Sequence, residues 1–79
     1  MENNAIIKGT LQEVLGIMDA RAYVMIFAFS DDNKSVGEQQ GQVMRVLCNK
    51  DFMGVYGMYD VVGINVGISV VSILIQKEA

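Results

Sequence analysis

The chain has 79 residues, a formal net charge of −3, a single cysteine and no histidine, and 52% of it is hydrophobic. One cysteine excludes an internal disulfide. The six basic residues Lys8, Arg21, Lys34, Arg45, Lys50 and Lys77 are scattered, so no cationic cluster exists to neutralise the backbone of a nucleic-acid polymer. A chain this short forms one domain, residues 1–79, and buries only about 60% of its unfolded surface. Its apolar content exceeds what one small core hides, and large exposed apolar patches are rare on soluble monomers. The chain is therefore expected to pair with copies of itself, most simply with closed symmetry. The start MENNAIIKGT has no basic segment leading into an apolar one, and a lone cysteine fits a reducing compartment, so the expected location is the cytoplasm.

Residues Met1–Gly9 read as flexible, with Ala5–Ile7 adding a short edge strand. Thr10-Leu11-Gln12-Glu13 is a capping box: the Thr10 hydroxyl can accept from the Glu13 amide while the Glu13 carboxylate reaches back. Leu11, Val14, Leu15 and Met18 follow at helical spacing and predict a helix over Leu11–Asp19 that must pack on a sheet to persist. Ala22–Ser30 is a strand. Tyr23, Met25, Phe27 and Phe29 point one way, Ala22, Val24, Ile26 and Ala28 the other, and both faces are apolar. The helix covers one of them, and a second subunit is the expected cover for the other.

Asp31-Asp32-Asn33-Lys34 favours a turn, and the polar stretch Ser35–Val43 reads as an exposed or edge strand. Short helical turns are expected across Met44–Tyr56, broken at Gly54 and Gly57. In Asp60–Gln76 the strand-period alternation shifts by one at Val70–Val71. That predicts strands Asp60–Val66 and Val70–Lys77 joined near Gly67–Ile68–Ser69, or else one long bulged strand. The same stretch must be weighed as a membrane span. Val61–Ile75 is 15 residues against the roughly 20 that a helix needs, and Asn65, Ser69 and Ser72 interrupt it, so no membrane insertion is expected. The expected fold is α+β: a small antiparallel sheet, an N-terminal helix packed on it and an irregular helical segment, in the order α-ββ-(α)-ββ.

Catalytic chemistry finds little to work with. Without histidine the commonest general base and metal ligand is missing, and Cys48 lacks the partner that activates a thiol. Cys48 is expected to be a small buried residue. No metal site and no cofactor are expected. Asp31-Asp32-Asn33 with Gly37 does not fit a calcium loop, because the glycine falls at the seventh place and the twelfth is Gln42. The chain is read as no enzyme. The one segment with binding chemistry is Asp51–Tyr59, rich in aromatics, methionines and glycines. Tyr56 and Tyr59 are candidates to stack on a ring, and Arg45 or Arg21 to meet an anion. The competing reading is that this segment packs over the sheet or forms the oligomer seam.

Thr10-Leu11-Gln12-Glu13-Val14-Leu15, Met18-Asp19, the strand Tyr23–Phe29, the turn Asp31-Asp32-Asn33 and Gly41-Gln42-Val43 together resemble a group of small phage and prophage proteins of Gram-positive bacteria. The resemblance covers most of the chain and departs from the group's pattern in Phe52–Met58. It implies an inhibitor of host defence, an oligomer that sequesters a cyclic nucleotide or cyclic ADP-ribose signal in the host cytoplasm. Three classes follow as expectations: a sequestering oligomer, an inhibitor that binds a host protein through its apolar surface or the edge strand Ser35–Val43, and a small structural phage component.

Overall fold

The computed structural model describes residues 9–77. The expected edge strand at Ala5–Ile7 lies outside them. Seven elements follow in order: α1 (Leu11–Gly16), β1 (Tyr23–Phe29), β2 (Ser35–Gln42), α2 (Val43–Leu47), α3 (Lys50–Tyr56), β3 (Asp60–Val66) and β4 (Val71–Gln76). They form one four-stranded sheet, ordered β2-β1-β4-β3, with the helices packed on it. The α+β architecture is as read from the sequence, and the final apolar stretch is a hairpin. Both hairpins are antiparallel, but β1 and β4 pair in parallel, so the sheet is mixed rather than wholly antiparallel. The cause is burial. β1 and β4 carry Val24, Ile26, Ala28, Ile73 and Ile75, all at 0% exposure, and they take the centre, leaving β2 and β3 as edges. A parallel arrangement of hairpins needs a crossover, and α2–α3 supply it.

The helix layer is fixed locally. The capping box of α1 is formed, with the Thr10 amide donating to Glu13 Oε1 at 2.9 Å and the Glu13 amide to Thr10 Oγ1 at 3.4 Å. Two further first-turn amides are docked, Leu11 to the Tyr59 carbonyl and Gln12 to the Gly57 carbonyl, which satisfies donors that a helix start leaves orphaned. The helix stops at Gly16, three residues before the expected Asp19. Ile17 is 77% exposed, so no burial draws the helix on, and the Ile17 and Met18 amides bond carbonyls three residues back in a tightened last turn.

Several boundaries differ from the sequence reading. Val43 opens α2 instead of ending β2, because its side chain is buried beside Val46 in the core. The helical segment breaks at Cys48–Asn49, not at Gly54. Asn49 caps α3 by accepting from the Phe52 amide at 3.1 Å, and Gly54 sits inside α3. Cys48 is exposed rather than buried. It lies two residues past buried Val46, about 200° round the helix axis and away from the sheet. In β3 an irregularity between Val61 and Gly63 resets the register, so Val61, Ile64 and Val66 pair with Ile75, Ile73 and Val71 on the helix side. Among the described residues no helix is long and apolar enough to cross a membrane.

Candidate binding site

All buried core positions lie on one side of the sheet, toward α1, α2 and α3. Residues directly paired across strands share a face, so the register identifies the other, open side. β1 presents Tyr23, Met25, Phe27 and Phe29. Opposite them β2 presents Gln42, Gln40 and Glu38, and β4 presents Ser72, Leu74 and Gln76. Gly63 and Asn65 of β3 complete the face. Nothing among the described residues covers it. The apolar side chains of β1 shield one another, so Met25, Phe27 and Phe29 are only partly exposed.

Between β1 and β2 lies an open depression of about 290 Å³ lined by Met25, Phe27, Glu38 and Gln40, with Ile26 and Gln39 at the strand positions between them. Met25 and Phe27 give it apolar, polarisable atoms, while polar atoms make up the larger share of its lining. Glu38 can accept hydrogen bonds, and the Gln40 amide can both donate and accept. Gln76 is not available for a ligand through its amide nitrogen, which donates to the Ser30 carbonyl (3.0 Å) and to Asn33 Oδ1 (2.8 Å). Those bonds hold the β1–β2 turn, where Asn33 has a left-handed φ of 67°, a conformation that asparagine tolerates.

Comparison with family models, with curated proteins and with solved structures finds no match. The chemistry of the site therefore has to be taken from its own residues.

The residues singled out from the sequence fall into two pairs. Tyr56 and Tyr59 meet edge to face, ring centroids 5.0 Å apart, and Phe52 packs on Tyr56 at 4.9 Å. The Tyr56 hydroxyl donates to the Val36 carbonyl of β2 at 2.9 Å, and its ring lies over Gly37. Both tyrosines are partly buried against the core on the helix side, so this cluster ties α3 to the sheet. Arg21 and Arg45 are exposed. Their segments adjoin, because the Val43 amide donates to the Ala22 carbonyl and the Met44 amide to the Ala20 carbonyl, each at 2.9 Å. Among the described residues no side-chain hydrogen bond or ion pair links an arginine to a tyrosine. Sequence reasoning marked Tyr23, Met25, Phe27 and Phe29 as one of two apolar faces of the strand, one for the helix and one for a second subunit, without saying which face was which. It missed Glu38 and Gln40 as groups facing that row. The signal was the period-two spacing of Glu38, Gln40 and Gln42 in a strand that pairs with β1.

Among the described residues no group of three or more His, Cys, Asp or Glu side chains is placed to hold a metal ion.

Proposed function

We propose that the chain is a non-enzymatic, homo-oligomeric binding protein whose binding surface is the open face of its sheet. The ligand is a small nucleotide-derived molecule held by its ring. The observation that carries the reading is the uncovered row Tyr23–Met25–Phe27–Phe29 beside a depression whose polar groups are Glu38 and Gln40. A planar heterocycle gains stacking from such a row, and its ring N–H and N atoms find an acceptor and an amide. The lack of histidine leaves no ready base to turn the ligand over, which suits sequestration. The resemblance to small phage proteins supplies the ligand class, a host immune signal, and the cytoplasm of the host as the place of action.

A second reading is a protein-binding inhibitor that uses the same face. It is favoured by the charge of the open face, where the side chains named above include no lysine or arginine to meet a phosphate. A thermal-shift screen against cyclic mononucleotides, cyclic dinucleotides and cyclic ADP-ribose isomers separates the two. A ligand at 100 times its Kd stabilises by about 2.7 kcal/mol, which in a domain of this size raises Tm by roughly 10 °C or more. Phe27→Ala should abolish that rise. If no nucleotide shifts Tm, the sequestration reading fails and the protein-binding one stands.

A further inference from the structure

We infer that β3 is the self-association seam, pairing antiparallel with β3 of a second copy to join two sheets into one. This rests on the homo-oligomer reading above, and it gives that reading a place and a register.

The two edges of the sheet differ in kind. β2 is polar, and its Val36 carbonyl is occupied by the Tyr56 hydroxyl. β3 carries no charge after Asp60, and its exposed apolar side chains continue into the turn: Val62, Ile64, Val66 and Ile68. Natural proteins blunt such edges with charge, proline or cover. Among the described residues cover exists only at the strand's start, where Thr10 bridges Asp60 and the outward Val61 amide donates to the Gly9 carbonyl at 3.0 Å.

The outward-facing hydrogen-bonding groups of the edge follow from the register. The Gly67 amide donates to the Val70 carbonyl at 2.8 Å, so Gly67 and Val70 form a hydrogen-bonded pair. Such pairs alternate along an antiparallel ladder. Asn65 and Gly63 therefore turn their backbone groups toward Ser72 and Leu74, while Ile64 and Val66 turn theirs away from the sheet.

One symmetric register uses all of these features. With Asn65 facing the partner's Asn65, Ile64 faces the partner's Val66 and exchanges backbone hydrogen bonds with it, and the two-fold repeats the exchange. Val62 then faces the partner's Ile68. All four exposed apolar side chains find apolar partners, and no like charges meet. A shift by one residue would set Ile64 against the partner's Asn65 and lose this match. The two-fold stands perpendicular to the sheet, so both open faces point the same way. Two copies thus present one continuous eight-stranded platform with two binding depressions, and both helix layers lie behind it.

In this register Asn65 and the partner's Asn65 form the close, non-hydrogen-bonded kind of pair, with Cα atoms about 4.5 Å apart. A disulfide fits that spacing. The test is Asn65→Cys in a Cys48→Ser background, mildly oxidised and run on a non-reducing gel, beside a Ser35→Cys control on the opposite edge. Asn65→Cys should cross-link to a dimer and the control should not. Val66→Lys, an exposed change, should convert the oligomer to the 8.7 kDa chain by light scattering. A wild-type monomer at micromolar concentration would overturn the homo-oligomer itself. An oligomer that neither cross-links through Asn65→Cys nor responds to Val66→Lys would overturn only the β3 seam. Ligand-induced thermal shifts depend on the open face and are read separately.

Discussion

Gly37 is where the packing of α3 on β2 can be measured. A Cβ at this position would lie 2.5 Å from the Tyr56 hydroxyl oxygen, 2.9 Å from Cζ and 3.2 Å from Cε2. Carbon contacts settle near 3.5 Å, so Gly37→Ala requires the tyrosine tip to move by roughly an ångström. The ring is not free to do so. Phe52 and Tyr59 hold it on two sides and the Val36 carbonyl holds its hydroxyl. Overpacking of this kind costs about 1–3 kcal/mol, and losing the hydrogen bond about 0.5–1.5 more. The smaller freedom of alanine in the unfolded chain offsets about 0.4–1 kcal/mol. The expected net loss is about 0.5–4 kcal/mol, seen as a lower midpoint in a urea titration. Tyr56→Phe alone should cost about 0.5–1 kcal/mol, because the exposed edge carbonyl can turn to water. The double variant should lose less than the sum, since removing the hydroxyl takes away the nearest clash. A neutral or stabilising Gly37→Ala, or losses additive to within about 0.5 kcal/mol, would refute this close packing of Tyr56 on Gly37.

Thr10→Ala removes the hydroxyl half of the capping box, leaving the Thr10 amide bonded to Glu13, and should cost about 1 kcal/mol in the same titration; an unchanged midpoint would show that this amide bond and the docking of Leu11 and Gln12 suffice. Ile73→Ala empties a fully buried position on a central strand and should cost about 2–5 kcal/mol, so a smaller loss would mean that the core above β4 collapses into the gap. Arg45→Ala should move Tm by no more than about 2–4 °C, because surface changes rarely exceed 0.5 kcal/mol. Tyr56→Ala, which strips a ring from the α3–sheet packing, should lower Tm by several degrees. Equal melting of the two variants would return Tyr56 to the status of a free surface ring.

The strands, the turn at Asp31–Lys34, the capping box and the final hairpin were legible because each is set by neighbours in the chain. Period-two alternation, turn-forming side chains and the Thr10–Glu13 reciprocity act over a few residues. Four things were decided only by tertiary structure. The parallel meeting of β1 and β4 depends on which strands bury best, a comparison between distant segments. The end of α1 at Gly16 depends on Ile17 finding nothing to pack against. The role of Tyr56 depends on β2 passing beneath it, twenty residues away in sequence. Above all, β1 reads as apolar on both faces, with nothing local to say which one the helices take. The α2–α3 crossover can lie on only one face of the sheet, and α1 is tied to that face by the Leu11 and Gln12 amides bonding the Tyr59 and Gly57 carbonyls, which leaves the Tyr23–Phe29 row open beside Glu38 and Gln40.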